Sequence, residues 1–253
     1  MSSSSINIKS PDELKIMEEG GKKLSFIKHS LMDMVDVGVK ASDLEKLAVN
    51  LIEKTGGKAS FKMVPGYSWA TCINVNAGLV HGIPHKSIVF KKGDVVSGDM
   101  GLYYKGFHTD TSFTVAISPS LEVKKFLNVG KKAFVAASLA AKPGNRIYDI
   151  SEKMEDTITL FGYTPVRDLV GHGIGKDLHE APAIPCFTER PREKSALIEP
   201  GMAIAIEVMY AMGGYLVITE KDGWTIGMED GKISALFEDT VIVAQKGSRI
   251  ITG

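Results

Sequence analysis

"VGVKASDLEKLAVNLIEKTGG" (residues 37–57) and "KPGNRIYDISEKMEDTITLFG" (residues 142–162) share one layout. Gly38 and Gly144 each stand five residues before an aspartate, Asp43 or Asp149, and each aspartate stands thirteen before a glycine, Gly56 or Gly162. In the first copy a helix is expected to begin at Ser42, with Glu45 as its capping partner, and to stop at Gly56-Gly57. Each helical stretch is followed by strand-like sequence. A unit repeated at about 106 residues implies two similar α+β halves sharing one sheet or one core.

Outward from the repeat, "SPDE" marks an earlier helix start, with Ser10 as N-cap, Pro11 in the first turn and Glu13 closing a capping box. Leu14, Met17, Leu24, Ile27, Leu31 and Met34 recur at three- and four-residue spacings, which predicts a long helix to about Val37. Residues 1–9 read as a flexible tail. Strand-rich runs cover 71–76, 94–100, 107–117, 203–210, 215–219 and 233–243. Because no Pro/Ser-rich linker intervenes, residues 10–253 are expected to form one domain, with halves at about 10–117 and 118–245.

Composition narrows the function classes. A chain of 253 residues, 44% of them hydrophobic, carries an ample core. Thirty basic residues balance thirty acidic ones, so charge argues for neither nucleic acid nor a membrane surface. Two cysteines, Cys72 and Cys186, make no disulfide framework and point to a reducing compartment, the cytoplasm. The start "MSSSSINIKSPDE" has neither the basic region nor the apolar core of a secretory signal, and the sequence has no apolar run of about 18 residues.

Acidic residues interrupt the strands. In "GDVVSGDMGLYYKGFHTDTSFTVAI" two β-runs flank a turn near residues 103–106. A hairpin centred between Tyr104 and Lys105 would set Asp99 opposite Asp110, with Cβ atoms about 4.5–5.5 Å apart. Solvated turn-flanking aspartates would be unremarkable, but Val95, Val96, Phe113 and Val115 mark these strands as buried. "GMAIAIEVMY" and "ISALFEDTVIV" repeat the pattern with Glu207 and Glu238. Close buried carboxylates need protons or a cation between them. Four negative charges match two divalent cations, and "GHGIGKDLHEAP" (Gly171–Pro182) offers His172 as a nitrogen ligand between glycines. Such an oxygen-rich set with one imidazole suits Mn, Fe, Co or Zn. Paired metals of this kind activate water and polarise a carbonyl.

The series Asp99, Asp110, His172, Glu207 and Glu238 resembles the five metal ligands of the pita-bread metallopeptidases, over about residues 10–250. The resemblance implies a duplicated α+β fold, two pseudo-symmetric halves around a curved antiparallel sheet. "TCINVNAGLVHGIP" (Thr71–Pro84) and "KDGWT" (Lys221–Thr225) look like the methionine aminopeptidases, and the chain's length resembles their type I branch. What the resemblance implies is a cytoplasmic, monomeric enzyme with two divalent ions. It would remove N-terminal methionine from peptides and from nascent chains at the ribosome, preferring a small second residue. His81, His179 and Glu207 would be its catalytic groups. Phe61, Val64, Tyr67, Cys72, Leu178 and Trp224, with His81 and His179, would bind the substrate.

Two positions depart from that family. Val208 follows Glu207 where proline is usual, and Asp239 follows Glu238 where histidine is usual. "DMG" and "EDTV" look more like the Xaa-Pro aminopeptidases and prolidases, which generally carry an additional N-terminal domain. A non-catalytic peptide- or protein-binding module of the same fold is a further alternative, although such modules have usually lost metal ligands.

Overall fold

The computed structural model describes residues 6–253, so residues 1–5 of the expected flexible tail lie outside the described residues. Residues 6–9 are not loose: Lys9 is buried, and its backbone N–H donates to the Gly201 carbonyl at 2.9 Å. Ile6 packs against the larger core cluster.

Two helices and five strands come first: α1 (Pro11–Met34), α2 (Ala41–Lys54), β1 (Lys58–Ala59), β2 (Thr71–Val75), β3 (Gly78–Val80), β4 (Val95–Tyr104) and β5 (Phe107–Ala116). The chain continues through α3 (Leu121–Ala140), α4 (Ile147–Leu160), β6 (Thr164–Pro165), β7 (Val170–Gly173) and β8 (Glu180–Pro185). It ends with β9 (Ala203–Ala211), β10 (Val217–Thr219), β11 (Ile226–Met228), β12 (Ser234–Val243) and β13 (Ser248–Ile250).

At the head of α1, Ser10 Oγ accepts from Glu13 N while Glu13 returns a carboxylate to Ser10 N. The helix stops at Met34 rather than Val37, because Val35 is already extended. The start of α2 differs from expectation more instructively. Lys40 is its N-cap and Asp43, not Glu45, accepts the cap N–H. Glu45 instead reaches across to β2, accepting from Ala70 N, Thr71 N and Thr71 Oγ1. Asp149 caps Arg146 in the same way at the head of α4. The two aspartates that align in the repeat therefore do one job, satisfying a free N–H at a helix start.

The repeat holds in space. Ala41 N donates to Ile88 O and Ile147 N to Ala196 O; Gly38 N donates to Phe90 O and Gly144 N to Ile198 O. Strand β1 sets Lys58 opposite Tyr103 on β4, and β6 sets Thr164 opposite Ala211 on β9. The result is an α+β fold with one ten-stranded antiparallel sheet in the order β1-β4-β5-β12-β9-β7-β8, to which β2, β6 and β13 add. A small sheet, β10-β11-β3, lies apart.

Where the repeats meet, β5 and β12 share one paired position, Asp239 with Thr111, and threonines supply much of the rest of the join. Thr240 exchanges two hydrogen bonds with the Asp110 backbone, and Thr114 exchanges two with the Leu236 backbone. Helices cover one sheet face: α3 and α4 cluster with Ile204, Ile206, Val208 and Tyr210, while α1 and α2 cluster with Val96, Met100 and Leu102. Because side chains alternate along a strand, the residues between these point to the opposite face, where the acids lie.

Candidate metal centre and adjoining pocket

The β4–β5 hairpin is centred one residue later than the sequence turn signal implied. Asp99 is opposite Ser112, and Asp110 is opposite Gly101, so the two aspartates are diagonal rather than directly paired. The positive φ of Lys105 and Gly106 places the turn there. A register change of two along the strand preserves the face, and both carboxyls remain close enough to perturb each other's ionisation. On the other side of the seam, Glu207 is directly opposite Glu238.

His172 arrives from β7, which pairs it with Ala205 on β9. Its stretch runs from β7 to the start of β8 through an irregular segment at 174–179. Glycine is what allows the strands: a Cβ on Gly173 would fall 2.1 Å from the Ala181 carbonyl oxygen, and one on Gly171 would fall 2.6 Å from that of Ala205. His172 Nδ1 lies 2.8 Å from the Gly173 carbonyl oxygen. A carbonyl only accepts, so Nδ1 carries the proton and Nε2 presents a lone pair. Nε2 lies 3.4 Å from Glu207 Oε1. Asp110, His172 and Glu238 each bring one ligand atom to within 4.8 Å of the others.

The electrostatics show what this cluster lacks. Burial and then the charge of their neighbours push Asp110 and Glu238 well above the carboxylate range; burial and then Asp99 do the same to Glu207. Burial raises Asp99 to about 7 and lowers His172 to about 4. Asp99 Oδ1 and Glu238 Oε1 are buried with no hydrogen-bond partner. Orphaned carboxylate oxygens facing a neutral imidazole lone pair form a donor set for divalent cations. Asp99, Asp110, His172, Glu207 and Glu238 are the residues that could hold them.

An apolar cluster adjoins the acids. Phe61, Tyr67, Cys72 and Leu178 are buried together, with Val64 and Trp224 packed against them. Cys72 stands directly opposite Asp99, linking pocket to acids. The Tyr67 and Trp224 rings meet edge to face at 5.1 Å. Trp224 is held by the turn that "KDGWT" encodes: the Asp222 carboxylate accepts from Trp224 N, Thr225 N and Thr225 Oγ1. Trp69, which stacks on Tyr67 at 5.3 Å, was missed in the sequence; its place two residues beyond Tyr67 was the available signal.

Two further histidines close the site. The His179 ring stands 4.5 Å from that of His172, edge to face. His81 has a φ of 58°, an uncommon backbone state that its loop imposes. Burial lowers the pKa of both, and for His81 the proximity of His179 adds to the effect.

Both departures point away from the acids. Val208 is fully buried among the helix-face residues. Asp239 Oδ1 accepts from Lys28 Nζ, Thr111 Oγ1 and Thr252 Oγ1, each at 2.7 Å. Neither residue contributes to the pocket. A cavity of about 460 Å³ beside Arg146 and Phe187 is lined by none of the site residues.

Residues 15–245 match the model of metallopeptidase family M24. The chain is 37% identical to a methionine aminopeptidase of Clostridium acetobutylicum, over 98% of each. Its fold is similar to the crystal structure of methionine aminopeptidase from Thermotoga maritima, with a TM-score of 0.95 and 35% identity over 98% of this chain and 99% of that one. A prolidase from Pyrococcus furiosus shares the fold at a TM-score of 0.79 and 21% identity, over 97% of this chain and 65% of the prolidase.

Proposed function

Because the chain belongs to metallopeptidase family M24, we propose that it removes the N-terminal methionine from peptides and nascent proteins, with a small second residue preferred. Asp99, Asp110, His172, Glu207 and Glu238 would hold two divalent ions, of Mn, Fe, Co or Zn. The observation that carries this reading is the juxtaposition of orphaned buried carboxylates with an aromatic, sulfur-bearing pocket across the Cys72–Asp99 pair. Divalent cations bound there supply charge compensation and Lewis acidity toward a scissile carbonyl and an attacking water.

The protein's own groups do the rest. Glu207, beside His172 and opposite Glu238, takes a proton from water and returns it to the leaving nitrogen. His179 donates to the carbonyl oxygen as negative charge develops there, and His81 contacts the scissile amide. Phe61, Val64, Tyr67, Cys72, Leu178 and Trp224 enclose the first side chain. An unbranched thioether suits them, because sulfur–aromatic contacts add about 0.3–1.5 kcal/mol to apolar burial. Residues 10–253 serve the site as one catalytic unit, since its acids come from both repeats. Nascent chains met at the ribosome, in the cytoplasm and by a monomer, are the substrate source that fits this chemistry.

Elemental analysis beside a peptide panel tests the reading. Metal should copurify, and Met-Ala-Ser should be cleaved at least about tenfold faster than Leu-Ala-Ser, the discrimination a mismatched branch produces. Faster cleavage of Ala-Pro peptides would move the protein to the prolidase side of the family. Full activity in metal-free protein would end the metal-dependent reading altogether.

A further inference from the structure

The segment that leads into α1 reaches the loop that carries His179. Lys9 Nζ donates to Glu180 Oε2 at 2.6 Å and to the Asn7 carbonyl at 3.1 Å, and both charged side chains are about 95% buried. Glu180 Oε1 accepts from Asp177 N at 3.3 Å, so one carboxylate ties the incoming arm to the turn before His179. Gly175 completes the fit, since a Cβ there would lie 2.6 Å from both Glu180 Oε1 and Lys9 Cε. The arm itself is anchored, with Lys9 N on Gly201 O and Gly201 N on Val243 O. The loop is also held by His108 N on Gly175 O at 2.7 Å, by Ile174 N on Ala203 O at 3.0 Å and by Lys176 Nζ on Glu13 Oε1 at 3.3 Å.

A buried ion pair is a poor source of net stability, because desolvating two charges offsets much of their attraction. It is an effective source of position, because any displacement leaves a charge unpaired in a dry place. Glu180 remains ionised there: burial pushes its pKa up, but the hydrogen bond and charge of Lys9 hold it below the usual carboxylate range. The neighbour of Glu180 in the chain is His179, whose ring must meet a reacting oxygen within hydrogen-bond distance.

We propose that Lys9 is a positioning residue for the hydrolytic step, its ion pair with Glu180 fixing the backbone from which His179 projects toward the substrate carbonyl. The inference rests on the role given to His179 above. Lys9 touches no reacting atom and acts only through that loop.

A double-mutant cycle on the metal-loaded protein tests it. Lys9→Met should lower kcat for Met-Ala-Ser by about ten- to a hundredfold, the scale of loss from misplacing a catalytic group, with KM nearly unchanged and metal content retained. In a His179→Ala background the same substitution should lower kcat no further. An equal loss in both backgrounds would show that Lys9 acts independently of His179, and no loss in the wild-type background would remove its role; either overturns the proposal. Should Lys9→Met fail to fold, Lys9→Met/Glu180→Gln, which removes both charges together, carries the same comparison. Full turnover in His179→Ala alone would refute the role of His179 itself, a result the cycle reads separately.

Discussion

With no cation among them, Asp99, Asp110, Glu207 and Glu238 all have raised pKa values, Asp99 to about 7, burial being the first cause for each. A carboxyl whose pKa is raised in the folded state binds more protons folded than unfolded. Its contribution is full below the unfolded pKa and is lost as pH rises through the folded one. The neighbouring histidines pull the other way, because folded His172 at about 4 lies below its unfolded value of 6.5 and destabilises the fold as pH falls toward and past 6.5. Between pH 8 and 7 the histidines are mostly neutral in both states, so the carboxyls dominate. Metal-free protein should melt at a higher temperature at pH 7 than at pH 8, and metal-loaded protein should lose that dependence; scanning calorimetry on both forms checks the sign. At the pocket, Trp224 stands edge-on to Tyr67. Trp224→Ala should narrow the preference for Met-Ala-Ser over Leu-Ala-Ser, as measured by kcat/KM on the two peptides.

Asp239 lies next to a proposed ligand yet belongs to a contact between elements, joining β12 to α1 through Lys28 and to the chain's final residues through Thr252. With side-chain exposures of 8% and 11%, the two charges are largely removed from water. Lys28→Met should cost about 3–5 kcal/mol in urea unfolding, because it strands a buried carboxylate. Lys28→Met/Asp239→Asn should recover most of that, since a carbonyl oxygen at the same place still accepts from Thr111 and Thr252. The threonine join between β5 and β12 has the same logic. Thr240→Val removes a hydroxyl that both donates to Asp110 O and accepts from Asp110 N. The loss should be about 1–3 kcal/mol, the cost of leaving a buried backbone group unpaired, and unfolding curves measure it directly.

Across the molecule, the proposed ligands divide between the two repeats. Asp99 and Asp110 come from β4 and β5, and His172, Glu207 and Glu238 from β7, β9 and β12. Cations held between them bind only the assembled fold, so they stabilise it by mass action. Chelation should abolish peptidase activity and lower the melting temperature, and Mn, Fe or Co should restore both. Asp110→Asn and Glu238→Ala should each bind less metal by elemental analysis, because each removes a carboxylate from the counter-charge. A chelator that removed metal without moving the melting temperature would contradict the cross-linking role. No helix among the described residues is long and apolar enough to cross a membrane.

The sequence by itself determined the repeat, because a helix-start aspartate and a glycine stop are local chemistry written at fixed spacing. It also determined the acids as an anomaly, because a charge inside an apolar strand is visible without coordinates. The pocket and the auxiliary histidines were legible only through resemblance to a family, since Phe61, Leu178 and Trp224 are far apart in the chain. What the tertiary structure alone decided was partnership. The hairpin register depended on which residues of the turn took positive φ, a choice that Tyr103–Gly106 left open. Glu45 left its own helix for β2, and Lys28 and Lys9 found Asp239 and Glu180 across 211 and 171 residues. Such pairs have no local signal, because a buried charge takes its partner from whatever surface the fold brings against it.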